Sequence, residues 1–112
     1  MMEIYYGDTL SFVVILKQAK SGKEIALRDN EKLWFCANNK DDEQVYLIYQ
    51  TSIAFEIKNT QDYFVPGEYK CSVGIVADKD QTTPKYKTLK QFSLQVKESE
   101  RLPWREEREE YW

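Results

Sequence analysis

Val65-Pro66-Gly67-Glu68-Tyr69-Lys70-Cys71-Ser72-Val73 is the stretch on which the fold turns. Pro66-Gly67 marks a turn: proline fixes its own φ, and glycine accepts a positive one. From Glu68 to Ala77 the residues alternate, with Tyr69, Cys71, Val73 and Ile75 facing one way and Lys70, Ser72 and Gly74 the other. A period of two over that length is a half-buried β-strand. A turn running into Gly-x-Tyr-x-Cys-x-Val also matches the tyrosine corner of Greek-key sandwiches. There a Tyr two residues before a core position hydrogen-bonds backbone at the preceding turn. The competing reading packs Tyr69 at the strand start and leaves its hydroxyl in water. The corner predicts two stacked sheets in preference to a barrel.

Working outward, Asp78 to Pro84 is a polar loop, and Lys85 to Lys97 is a further strand. It points Phe92, Leu94 and Val96 inward and Gln91, Ser93, Gln95 and Lys97 to water. Upstream, Glu3 to Tyr6 is short and β-prone and stops at Gly7-Asp8. Thr9 to Lys17 places Leu10, Phe12, Val14 and Leu16 on one face and Val13 and Ile15 on the other, which predicts a strand covered on both sides. Ser21-Gly22 reads as a hairpin turn with Gly22 at positive φ. Lys32 to Ala37 separates Leu33, Phe35 and Ala37 from Trp34 and Cys36, and Asn38 to Glu43 is a loop. Gln44 to Gln50 is a strand by composition, and Ser52 to Lys58 is expected to bury Ile53, Phe55 and Ile57. The expectation is an all-β, two-sheet antiparallel sandwich of seven or eight strands, its hidden faces including Phe35, Phe55, Val73 and Phe92.

Bulk properties narrow the function. The 112 residues suit one domain, here 1–97, followed by a tail, 98–112. Aromatic residues at 14% exclude a disordered chain. Histidine is absent, which removes His-dependent triads and His-containing zinc sites. Residues 1–97 carry thirteen Lys/Arg and thirteen Asp/Glu, so the whole net charge of −3 belongs to the tail. A neutral body with an acidic tail argues against nucleic acid as the main partner. No apolar run approaches the ~18 residues of a membrane span. The Met-Met-Glu-Ile-Tyr-Tyr start lacks the basic and long apolar regions of an export signal.

Cys36 and Cys71 read as small hydrophobes in strands with reduced thiols, and a disulfide is the alternative. Their opposite placement relative to the inner faces argues against a cross-link. Asp41-Asp42-Glu43 and Asp78-x-Asp80 are acidic loops, read as solvated turns before calcium sites, since calcium takes 6–8 oxygens. With no phosphate loop, nucleophile elbow or acid-lined cleft in the sequence, the expectation is a protein with no catalytic residues, metal or cofactor.

The tail, Glu98 to Trp112, has its own pattern. Pro103 suits the first turn of a helix. On that helix Trp104, Arg108, Tyr111 and Trp112 gather toward one side, the candidate partner-binding set. Eight or nine residues hold a helix poorly in isolation. The tail therefore folds back on its own sandwich, docks on a neighbouring copy or another protein, or stays disordered.

Tyr6-Gly7-Asp8-Thr9-Leu10-Ser11-Phe12, Leu27 ahead of Leu33 and Phe35, Pro66-Gly67-Glu68-Tyr69, and Leu89 to Val96 together resemble small immunoglobulin-like modules of bacteriophage virion proteins. The N-terminal domain of phage baseplate upper proteins and related tail or head-decoration domains is the nearest likeness. It spans about residues 4–97 and rests on strand patterning with two short motifs, Gly-Asp-Thr and Pro-Gly-x-Tyr. The 78–84 loop, the cysteines and the tail depart from it. The resemblance implies an immunoglobulin-like sandwich acting without catalysis, through contacts with itself or another virion protein, in the tail or baseplate. The expected setting is the virion or the host cytoplasm, with homo-oligomers an option. Two alternatives stand beside it: a small phage inhibitor that sets Glu106, Glu107, Glu109 and Glu110 into a basic channel of a host defence enzyme, and a bacterial surface adhesion module.

Overall fold

Leu33, Phe35 and Ala37 lie on one face of an eight-residue strand and are fully buried. That strand is β3 (Glu31–Asn38), an interior strand of a five-stranded sheet. The computed structural model describes residues 2–98. The other strands are β1 (Met2–Tyr5), β2 (Leu10–Val13), β4 (Gln44–Gln50), β5 (Ala54–Ile57), β6 (Gly67–Ala77) and β7 (Lys85–Lys97). The larger sheet has the order β1-β7-β6-β3-β4, and the smaller pairs β2 with β5. The chain is all-β in two sheets, as the alternation requires. Between them lies one core, in which Phe12 stacks on Phe55 at 4.9 Å and meets Phe35 edge-on at 5.2 Å. Phe35, Phe55 and Val73 are buried and Phe92 is half-buried.

The expected corner is present. Tyr69 Oη donates to the Val65 carbonyl at 2.7 Å, with its ring buried and Phe64 packed edge-on against it at 5.0 Å. A short 3-10 turn, Thr60–Asp62, precedes it and follows Asn59 in the left-handed region (φ 54°). The Thr60 hydroxyl, buried, donates to the Asp8 carbonyl and ties this turn to the β1–β2 connection.

Three expectations need correction. The sheets are not wholly antiparallel, because β1 pairs with β7 in parallel, Met2 opposite Leu94 through Tyr5 opposite Lys97. The tight turn at Gly7-Asp8, closed by Asp8 N–H on Tyr5 O, carries the chain to the other layer. β1 is thereby left to pair with the edge of β7. Second, the stretch Thr9 to Lys17 forms a strand over Leu10–Val13 and is covered on one side: Val13 is 60% and Ile15 57% exposed. A layer of two strands has nothing outside it among the described residues. Third, Ile53 is 48% exposed. The Gln50 amide donates to the carbonyls of Ser52 and Ala54, bending the chain so that the buried alternation of Phe55 and Ile57 begins only after Ala54.

One irregularity redirects a strand. Opposite β6, Val73 pairs with Lys90 but Gly74 with Thr88, leaving Leu89 as a bulge. An inserted residue shifts the phase of everything beyond it. Phe92 and Lys90 lie on the core side of the sheet. Past Leu89, Lys87 and Lys85 (opposite Ile75 and Ala77) take that side, and Tyr86 turns to the outside.

Candidate functional site

Among the described residues both thiols are withdrawn from solvent, one buried and one half-buried. Cys71 is buried against the core, and burial pushes its thiol up to about 12. Cys36 lies on the outer side of the same sheet, its thiol also raised by burial, with its sulfur 3.4 Å from Gln44 Oε1. On opposite faces of one sheet the two remain free, as expected. The acidic loops use their carboxylates locally. Asp78 Oδ1 accepts from Asn30 Nδ2 at 3.1 Å, and Asp42 lies 3.7 Å from Lys70 Nζ. Among the described residues no three acidic or cysteine side chains gather as a metal cluster, and no helix is long and apolar enough to cross a membrane.

What the described residues do assemble is an opening on one side of the sandwich. Among the described residues the small sheet has two strands, and the edge of β2 away from β5 has no neighbour. Across from it, β1 covers β7 from Leu94 to Lys97, and among the described residues the same edge of β7 is free from Lys85 to Ser93. Between these edges lies a groove of about 730 Å³ with Met2, Phe12, Val14, Val73, Leu89 and Phe92 in its walls. Lys90 also lines it. β2 keeps its inward direction past its formal end, since Val14 N–H bonds to the Ile53 carbonyl on the β5 side at 2.9 Å. In an extended chain the flanking Val13 and Ile15 then turn their peptide groups to the open edge. The groove thus offers apolar walls with backbone donors and acceptors along its rims.

Its charge is one-sided. Lys85, Lys87 and Lys90 stand on the core side of β7 and Lys97 on its outer side, without a single acidic residue between Lys85 and Lys97. Lys97 is engaged by Glu3 at 2.6 Å, and that carboxylate raises the ammonium pKa by hydrogen bond and charge. Lys85, Lys87 and Lys90 form no ion pair among the described residues.

A second feature lies on the outside of the five-stranded sheet. Trp34 packs flat over Gly74, where an added Cβ would stand 2.5 Å from the indole. Tyr86, turned outward by the bulge, meets Trp34 with ring centres 6.5 Å apart and shares a 3.0 Å hydrogen bond with Tyr49. That bond, with lesser help from burial, pushes Tyr49 up to about 12. Lys79 Nζ sits 4.5 Å over the Tyr49 ring.

No family model matches the chain, and no curated protein matches it. The candidate contact residues Trp104, Arg108, Tyr111 and Trp112 lie outside the described residues. The groove itself escaped the sequence reading. One signal was available: Leu89 stands an odd number of residues from Phe92, so a regular strand would set two apolar side chains on opposite faces.

Proposed function

We propose that this chain is a non-catalytic binding module that takes an extended segment of a partner protein into the opening between β2 and β7. The observation carrying this reading is the coincidence of two strand edges, unpaired among the described residues, with an apolar groove between them. Strand addition draws affinity from backbone hydrogen bonds and specificity from pockets for alternate side chains, and the groove supplies both. We place the module in a phage virion, as a component of tail or baseplate with an immunoglobulin-like sandwich. The support for that setting is the resemblance of its strand-opening motifs to phage modules, together with the two-sheet fold and the Tyr69 corner.

A photo-crosslinking amino acid at Val13 or Leu89, with Lys58 as an exposed control, tests the surface. Crosslinks to a second polypeptide from the groove positions and not from Lys58 support the reading. Equal yields, or none from Val13 and Leu89, overturn it. Mass spectrometry of purified particles tests the setting. A stoichiometric presence supports the virion component, whereas presence in infected cytoplasm as a complex with a host nuclease points to the inhibitor.

A further inference from the structure

Lys90 lines the groove and Lys87 and Lys85 follow on the same side of β7, all three without an acidic partner among the described residues, and the chain carries its own acidic, aromatic segment after β7. We propose that residues 99–112 of the same molecule occupy the β2–β7 groove in the free protein, so that a partner strand must displace them. This deepens the reading of the groove as a strand-binding site by naming its resident occupant.

Reach permits it. The groove stretch of β7, Phe92 back to Leu89, lies five to eight residues from Lys97, or ~16–26 Å at strand rise. Fourteen residues span up to ~46 Å extended and ~20 Å as a flexible chain, so the segment turns back and covers the distance without strain. A tether of that size gives an effective concentration on the order of millimolar, and capture within one molecule prevails over capture between molecules at ordinary concentrations.

The chemistry fits as well. Leu102 and Trp104 alternate with Arg101, Pro103 and Arg105, a period of two that sets both apolar side chains on one face of an extended stretch. Proline is tolerated there because an added strand at an edge uses only half of its backbone donors. Five glutamates lie in residues 99–112, at 100, 106, 107, 109 and 110, against the unpaired Lys85, Lys87 and Lys90. Apolar walls, free edges and a basic rim belong to the described body, and the segment, net negative despite Arg101, Arg105 and Arg108, supplies the complement of each.

The test is hydrogen–deuterium exchange on the full chain with no partner added, compared with Leu102→Asp/Trp104→Asp. The double variant alters no residue of the sandwich core, so its fold is not at risk. Amides of Val13 to Leu16 and Lys87 to Phe92 are expected to exchange at least tenfold faster in the variant, with those of Trp34 to Ala37 unchanged. Leu89→Glu, on the groove side, is expected to reproduce the effect. Identical exchange in variant and parent overturns the proposal. So does light scattering that finds a dimer dissolved by the double substitution, because the segment then serves a second copy. Neither result touches the partner crosslinks at Val13 and Leu89, which stand or fall separately.

Discussion

The two halves of β7 have the same backbone and opposite situations. From Leu94 to Lys97 the strand is paired on both edges, with β6 and with β1, and Leu94 is fully buried. From Lys85 to Ser93 it is paired, among the described residues, with β6 alone, and its residues are exposed or half-exposed. The division falls where β1 begins and is sharpened by the bulge at Leu89. Being part of a sheet does not make a segment structural. The number of edges that are satisfied decides whether it is core or docking rail.

Large-to-small substitution along the strand exposes the difference most strongly. Leu94→Ala, at 0% exposure, is expected to cost about 2–5 kcal/mol, and Leu89→Ala, at 40% exposure, less than about 1 kcal/mol, both read by urea denaturation. Comparable losses would break the comparison. Next is the junction of the halves. Gly74→Ala puts a Cβ 2.1 Å from the Lys87 carbonyl and 2.5 Å from the Trp34 ring, and overpacking of this kind costs about 1–3 kcal/mol. A wild-type melting temperature in that variant would mean that the bulge yields easily.

Removing single hydroxyls tests the two ends more gently. Tyr69→Phe leaves the Val65 carbonyl without its partner and is expected to cost about 1 kcal/mol, whereas Tyr86→Phe, at the exposed Tyr49 bond, costs about 0–0.5 kcal/mol. Calorimetry of the pair in parallel checks the ranking. Alkali is the mildest lever. Burial raises Cys71 from 9.0 to about 12 and also raises Tyr69, so the unfolded chain releases these protons at lower pH than the folded one. Stability is therefore intact below about pH 9 and falls as pH rises toward about 12, with a limiting slope of about 1.4 kcal/mol per pH unit for each proton. Denaturation midpoints flat across that range would remove the burial effect.

Much of this was legible in the residues. Tyr69 with Pro66-Gly67 announced the corner, and the faces of Leu33, Phe35 and Ala37 against Trp34 and Cys36 placed the cysteines apart. These features depend on local alternation and turn chemistry, which a sequence states directly. The uncovered Val13 and Ile15 were not legible, because covering depends on how many strands the opposite layer holds. Neither were Phe64 and Thr60, whose burial follows from a left-handed Asn59 and a bond to Asp8, 52 residues away. The groove was hidden for the same reason: it exists only where β2 and β7 lack neighbours, and missing partners leave no pattern in a string of letters.

Placing Cys36 and Cys71 on opposite sides of one sheet has a bearing on where the molecule can work. The sandwich needs no oxidant to mature and offers no internal bridge for glutathione to open. An oxidising medium therefore adds no cross-link between these two sulfurs, and the two stacked layers do not depend on one.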